Sequence, residues 1–385
     1  MPGRRSPGLA HILDLSMDAP HPHADGDPLR QAEARAYGRR RRRLGLASTA
    51  VDLAGLVAIV AAAGTIGGIW AVVALAVGLP LVGLPFRVAG YRLSRAHGLS
   101  RQTPGGWLAD QAKAAGVGLV IGGLAAGGLL GIQRLAGPWW PFPAWLAVVA
   151  LSAVLAALWP VLLLPLFLRS EPLAAGPLAD ALWETAGRAH LRVRALRLLR
   201  MGEKTAAANA MVAGLGPTVR IYVSDTLAEP AAGEDEPGAL ARTRVVLAHE
   251  LGHHVHRDLW RLMLVSAATL AAGIAGAWAA VELVAPDGPG HLSTLPAVVL
   301  GFSLASAAVS PAAAAYSRRR ERAADAYATA LTGEGETFAR ALEGLVARNL
   351  SELEPPRLHH LLTSSHPTPA ERIATARSGG AAAGR

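Results

Sequence analysis

Residues 245–257 read Val-Val-Leu-Ala-His-Glu-Leu-Gly-His-His-Val-His-Arg, and the helix they encode organises everything around it. Val245, Val246, Leu247 and Ala248 give that helix a buried side. His249 and His253 stand four residues apart, so both imidazoles can reach one ion from the same face. Glu250, one step round, reaches a water on that ion, which is the logic of an H-E-x-x-H motif. Imidazole nitrogens suit zinc, and a catalytic zinc keeps one position open for water. Glu250 is then the candidate general base, and the metal polarises the scissile carbonyl. Gly252 removes bulk beside the ligands, while His254 and His256 lie on other faces. A plain helix with exposed His and Glu is the competing reading, and the apolar run in front of the motif weighs against it.

Two apolar stretches follow, residues 262–284 and 295–316, each long enough to cross a bilayer, which takes about 20 apolar residues. A short turn joins them, so they form an antiparallel hairpin. The first leg starts soon after His253 and the second ends shortly before Glu321 in Arg318-Arg319-Arg320-Glu321-Arg322-Ala323-Ala324-Asp325. Their extensions must emerge side by side, which makes Glu321 the candidate third ligand. Asp325, one turn further on the same face, can accept a hydrogen bond from a ligand imidazole. The alternative is that Glu321 only balances four neighbouring arginines. Upstream, residues 178–190 have helical spacing, whereas 193–200 alternate like a strand and 218–223 are short and β-branched. Residues 365–373 read as a turn opening a helix, with Thr368 as cap, Pro369 first and Glu371 in the first turn.

Further out, the 385-residue chain is 52% hydrophobic and only 17% charged, with a mean hydropathy of +0.32. That is too apolar for an ordinary soluble protein. The net charge of +9 sits beside apolar runs, and no base-reading motif accompanies it, so nucleic acid is not an expected partner. Without cysteine there is neither a disulfide framework nor a thiolate metal site. Residues 44–86 read as two spans with a tight turn at 64–68, and 115–136 and 142–168 as two more. With the hairpin this gives six. Placing the Arg39–Arg43 run inside puts Arg87, Arg92, Arg95, Arg101 and Lys113 inside as well. The outer turns, residues 64–68, 137–143 and 285–294, then contain no Lys or Arg.

The expected fold is mainly α: a polytopic helical membrane protein with a cytoplasmic zincin-like α+β domain. Its expected parts are a disordered basic tail (1–43), a four-span membrane domain (44–168), a metallopeptidase domain (169–376, with the hairpin 262–316) and a disordered end (377–385). A transporter would need charges inside the spans, and these carry almost none apart from Glu282, near an end. A catalytically silent scaffold would have lost Glu250 or a ligand.

The H-E-x-x-H at His249–His253 followed by Glu321-x-x-x-Asp325 resembles the CAAX prenyl protease 1 family of integral-membrane metallopeptidases. Leu84-Pro85-Phe86, His97-Gly98-Leu99-Ser100, Glu171-Pro172-Leu173, Asn209-Ala210 and Asp225-Thr226-Leu227 extend the likeness over residues 44–373. With the motif calling for one Zn2+ per chain and the charge placement for a multi-pass plasma-membrane location with N-terminus and site cytoplasmic, the expected partners are the lipid bilayer and a peptide or membrane-protein substrate. The resemblance implies that Asn209 sits on an edge strand where substrate adds as an extended strand. It also implies that His366 and Arg372 stabilise the oxyanion. A quality-control protease resembling the heat-shock protease HtpX shares the motifs and is the alternative. The expected six spans depart from the seven of the eukaryotic members, and residues 203–208 lack the expected Ser/Arg-rich character.

Overall fold

The computed structural model describes residues 28–214, 216–230, 234–284 and 288–383. Residues 1–27 of the expected tail and 285–287 of the third outer turn lie outside the described residues. The remainder of the tail is a helix: α1 runs Pro28–Ile66 without a break through the basic run. Pro28 suits a first helical turn, and the Ala, Gln, Glu and Arg that follow favour helix. Tertiary contact holds it. Arg30 Nε donates to the Ala347 carbonyl, Gln31 Nε2 to that of Ser351, and Arg42 meets Glu352 at 2.7 Å. Ala34 and Tyr37 are buried against Leu350.

Gly67, at φ +81°, turns the chain into the second span. That span comprises α2 (Gly68–Val73), a π-helical turn (Ala74–Gly78) and α3 (Leu79–Ala96). Next come α4 (Pro104–Ala136) and α5 (Pro141–Leu158), the latter leading through a second π turn (Trp159–Leu163) into α6 (Leu164–Phe167). The π turns fall just before Pro80 and at Pro160, where a missing N–H interrupts the ladder. Helices long and apolar enough to span a membrane number six among the described residues, as expected. Trp70, Trp139 and Phe142 are all exposed and lie beside the turns at the span ends remote from the polar domain, where interfacial aromatics are expected.

The polar domain interleaves β1 (Ser170–Pro172), α7 (Pro177–Arg188), β2 (Ala195–Leu199), β3 (Ala210–Ala213), β4 (Arg220–Ser224) and α8 (Asp225–Ala228). It continues through α9 (Glu236–Val255), the hairpin α10 (Asp258–Val284) and α11 (Leu295–Thr332), then α12 (Gly335–Arg348), α13 (Arg357–Thr363) and α14 (Pro369–Ala383). The sheet order is β1-β2-β4-β3, with β2 and β4 parallel and the other pairs antiparallel, so β3 is an edge. Leu182, Leu196, Ile221, Val223, Leu247 and Phe338 form the core between the sheet, α7, α9 and α12. Helix α14 continues to Ala383, past the expected start of a disordered end at 377. Burial of Ala376 and the Arg377–Glu343 pair at 2.8 Å hold it.

The hairpin is tight because glycines face each other. A Cβ on Gly276 would lie 2.4 Å from the Gly301 carbonyl oxygen, and one on Gly301 would lie 2.1 Å from that of Gly276. Small residues at a helix contact let backbones approach where lipid provides no hydrophobic drive. At the far end, Gly290 takes φ +92°, its N–H donates to Gln133 Oε1, and its carbonyl accepts from Arg134 Nε at 2.8 Å. One arginine therefore lies at the end remote from the polar domain, bonded to a loop carbonyl.

Candidate active site

Asp235 caps α9, its Oδ1 accepting from Gly238 N, and the helix runs to the motif with Val245, Leu247 and Leu251 fully buried. It crosses α11 at Gly252. A Cβ there would lie 3.1 Å from Ala324 Cα and 3.2 Å from Tyr327 Cδ1, so glycine permits the approach. Glu321 Oε2 is 3.4 Å from His249 Nε2, and Glu321 Oε1 is 3.4 Å from His253 Nε2. One ligand atom from each of the three residues falls within 4.8 Å of the others. Zinc bonds of about 2.0–2.1 Å in a tetrahedron put neighbouring ligand atoms about 3.3 Å apart. The donor set therefore fits zinc. No donor is aligned to hydrogen-bond the buried Glu321 Oε2, although His366 Nδ1 approaches it to 2.8 Å.

Both imidazoles turn Nε2 inward and Nδ1 toward a carboxylate; His253 Nδ1 is hydrogen-bonded there, whereas His249 Nδ1 makes a close contact without hydrogen-bond alignment. His249 Nδ1 is 2.8 Å from Asp325 Oδ1, and His253 Nδ1 is 3.0 Å from Asp258 Oδ2. Asp325 is in turn gripped by Arg372, whose Nε and Nη2 donate to its two oxygens at 2.8 and 2.7 Å. Arg372 was expected at the oxyanion. It borders the cleft, but two of its donors are spent on Asp325. His366 also borders the cleft and is 57% exposed. Thr368 caps α14 as its sequence suggests, its Oγ1 accepting from Glu371 N.

The arginines around Glu321 are not a general counter-charge. Arg318 Nη1 donates to the Ser364 carbonyl and fixes the loop carrying His366. Arg320 Nε donates to Asp258 Oδ1, and Arg322 Nε to Glu371 Oε1, both at 2.6 Å. Each holds a different element of the site. Asn209 immediately precedes β3, and its main chain is tied by Asn209 N to Ser224 Oγ and by Ser224 N to the Asn209 carbonyl. Together with Ala210, Phe338, His249, Glu250 and His366 it lines a cleft of about 490 Å3. Asp225 steadies the approach to Asn209, accepting from Met201 N and Gly202 N. The sequence reading matched Asp225 to the family without giving it this task, and it missed Asp258 altogether.

Two expectations follow directly. Gly252→Leu drives a side chain into α11; overpacking costs about 1–3 kcal/mol. The cost should appear as a lower melting temperature of the variant, and a Gly252→Leu chain that melts with wild type contradicts the close approach. The second concerns pH. Burial of His249 opposes its charged form, but Asp325 and Glu321 beside it outweigh burial and raise its pKa from 6.5 to about 9. Below that pH an incoming metal must displace a proton. Zinc affinity should therefore fall as pH drops below about 9, by about tenfold per pH unit, and level off above it. A pH-independent affinity between 6 and 8 contradicts this.

The family model described as "Peptidase family M48" matches residues 182–379. The chain belongs to this family. A second M48-associated model, "CAAX prenyl protease N-terminal, five membrane helices", matches residues 27–169, where four of the candidate spans lie among the described residues. The chain is 31% identical over 305 residues to "Uncharacterized metalloprotease YhfN" of Bacillus subtilis, covering 76% of this chain and 69% of that one. It is 27% identical over 307 residues to "CAAX prenyl protease 1 homolog" of Arabidopsis thaliana, covering 75% and 68%. The crystal structure of S. mikatae Ste24p superposes with a TM-score of 0.78 at 21% identity, covering 93% and 91% of the two chains. This M48 protein is thus a multi-span membrane metallopeptidase, a hydrolase with a polytopic helical fold, similar to the CAAX prenyl protease 1 homologues.

Proposed function

We propose that this M48 protein is a zinc endopeptidase that hydrolyses peptide bonds at the cytoplasmic face of the plasma membrane. The observation carrying this reading is the Glu321 carboxylate spanning two imidazole Nε2 atoms at 3.4 Å each. When bound, zinc supplies a Lewis acid that activates water and polarises the scissile carbonyl. Glu250 takes the water's proton and passes it to the leaving amine. Burial pushes its carboxyl above the usual range, with His249 and His253 pulling the other way, which suits a group that must first take up and then release a proton. His366 donates to the developing oxyanion. Arg372 holds Asp325, and through it His249, in place. A substrate segment pairs along β3 beside Asn209.

The orientation is read from charge. Arg42 and Arg101 make their contacts at the polar domain, with Glu352 and the Lys204 carbonyl, and Lys113 reaches the Leu166 carbonyl at the end of the span that leads into it. The domain-bearing end therefore carries the basic loops and faces the cytoplasm. Prenylated C-terminal peptides are the substrates that the names of several relatives suggest.

The test is hydrolysis of a quenched fluorescent peptide anchored in vesicles containing the purified chain. A chelator such as 1,10-phenanthroline should abolish cleavage, and stoichiometric zinc should restore it. Cleavage that persists after complete metal removal contradicts the proposal.

A further inference from the structure

Asp325 accounts for the Nδ1 of one metal-facing imidazole; the other is held by a residue to which neither the motif nor the family likeness gives a role. Asp258 is 2% exposed and is the first residue of α10, a membrane helix. Its Oδ2 lies 3.0 Å from His253 Nδ1, and its Oδ1 accepts from Arg320 Nε of α11 at 2.6 Å. Arg261, one turn on, approaches Oδ1 at 3.6 Å. The order of groups matches that on His249, where Asp325 stands between the ring and Arg372, although His249 Nδ1 only approaches its carboxylate while His253 Nδ1 hydrogen-bonds to Asp258.

Local backbone makes this possible. Helix α9 ends at Val255, and Arg257 takes φ +54°, a left-handed conformation that breaks the helix before α10 begins. Asp258 is thereby brought back under the ring of a histidine on the preceding helix. A buried carboxylate is expensive unless it is paired, and a cation from a third helix pairs it here. A simpler role is available: an acidic residue in a first helical turn favours the helix dipole and pairs with Arg261. That role needs neither burial nor an oxygen aimed at His253, and Asp258 has both.

We propose that Asp258, anchored by Arg320, is a positioning residue for His253. The hairpin α10–α11 then supplies one ligand, Glu321, and also aims a ligand carried by α9. Asp258 fixes the His253 tautomer with the proton on Nδ1, so that Nε2 presents its lone pair toward Glu321. This inference rests on reading His249, His253 and Glu321 as the ligand set.

The test measures zinc affinity of the full chain in detergent by chelator competition, for wild type, Asp258→Asn, His253→Ala and the double variant. Asp258→Asn is expected to weaken zinc about 10–100-fold. In the His253→Ala background, where zinc is held only weakly and its affinity is read by direct titration at high zinc, the same substitution should add no further loss, because the group it positions is gone. A cobalt-substituted Asp258→Asn protein should also show an altered visible spectrum. Unchanged affinity for Asp258→Asn overturns the proposal, and so does an equal loss in both backgrounds, which marks a purely structural role. Should Asp258→Asn not accumulate, Arg320→Gln carries the same cycle, with a loss that must again vanish beside His253→Ala. Wild-type affinity in His253→Ala would instead overturn the ligand set, whatever Asp258 does.

Discussion

Replacing Glu250 with Gln is expected to lower peptide hydrolysis about 10²–10⁴-fold, the usual worth of a positioned acid–base group, while zinc content stays at wild-type level. The two halves of that expectation have different causes. A glutamine side chain has almost the shape of the native glutamate, and Glu250 is not among the three residues whose ligand atoms converge. Zinc retention therefore follows from geometry. Loss of rate follows from chemistry, because an amide cannot take a proton from water. Metal analysis beside single-turnover kinetics separates them. A Glu250→Gln protein that cleaves at the wild-type rate removes Glu250 as the base.

Glu321→Ala is expected to empty the site. The carboxylate is the sole contribution of α11 to the three converging ligand atoms, and it bridges both rings at 3.4 Å. Its removal leaves two histidines one helical turn apart, too few ligands for a tight zinc site. Zinc should drop from one per chain to a small fraction, and hydrolysis should fall to background. The loss should also appear as stability: bound metal stabilises the folded state in proportion to its occupancy, so added zinc should raise the melting temperature of wild type and not of Glu321→Ala. A variant that keeps both its zinc and the zinc-dependent shift contradicts the assignment of Glu321.

The features readable in sequence are those whose geometry is local or enforced by topology. His249, Glu250 and His253 lie on one helix, so spacing alone places them. Glu321 lies 68 positions beyond His253 in the chain, yet the hairpin requires its helix to surface beside the zinc helix. Asp258 was invisible for the opposite reason. Only five residues from His253, it sits across a helix break, and its alignment depends on the left-handed conformation of Arg257. An acidic residue directly after that break was the available signal, but nothing in spacing aims it. Strands β1 and β3 are three and four residues long and lack alternation, so their pairing is a property of the assembled sheet. The first turns of α1 look like a polar tail until the loop around Leu350 is in place to receive them. The arginine run on α11 was equally opaque: composition shows a block of charge, and only folding assigns Arg318, Arg320 and Arg322 to separate partners.

The central claim is that one carboxylate from the membrane hairpin and two imidazoles from α9 share a metal. Zinc K-edge X-ray absorption on the purified wild-type chain tests it most directly. The expected spectrum has two imidazole nitrogens at about 2.0–2.1 Å and carboxylate or water oxygens at about 2.0–2.2 Å. A site with three or more imidazoles, with His366 taking the place of Glu321, or a purified chain that holds no zinc would contradict the account.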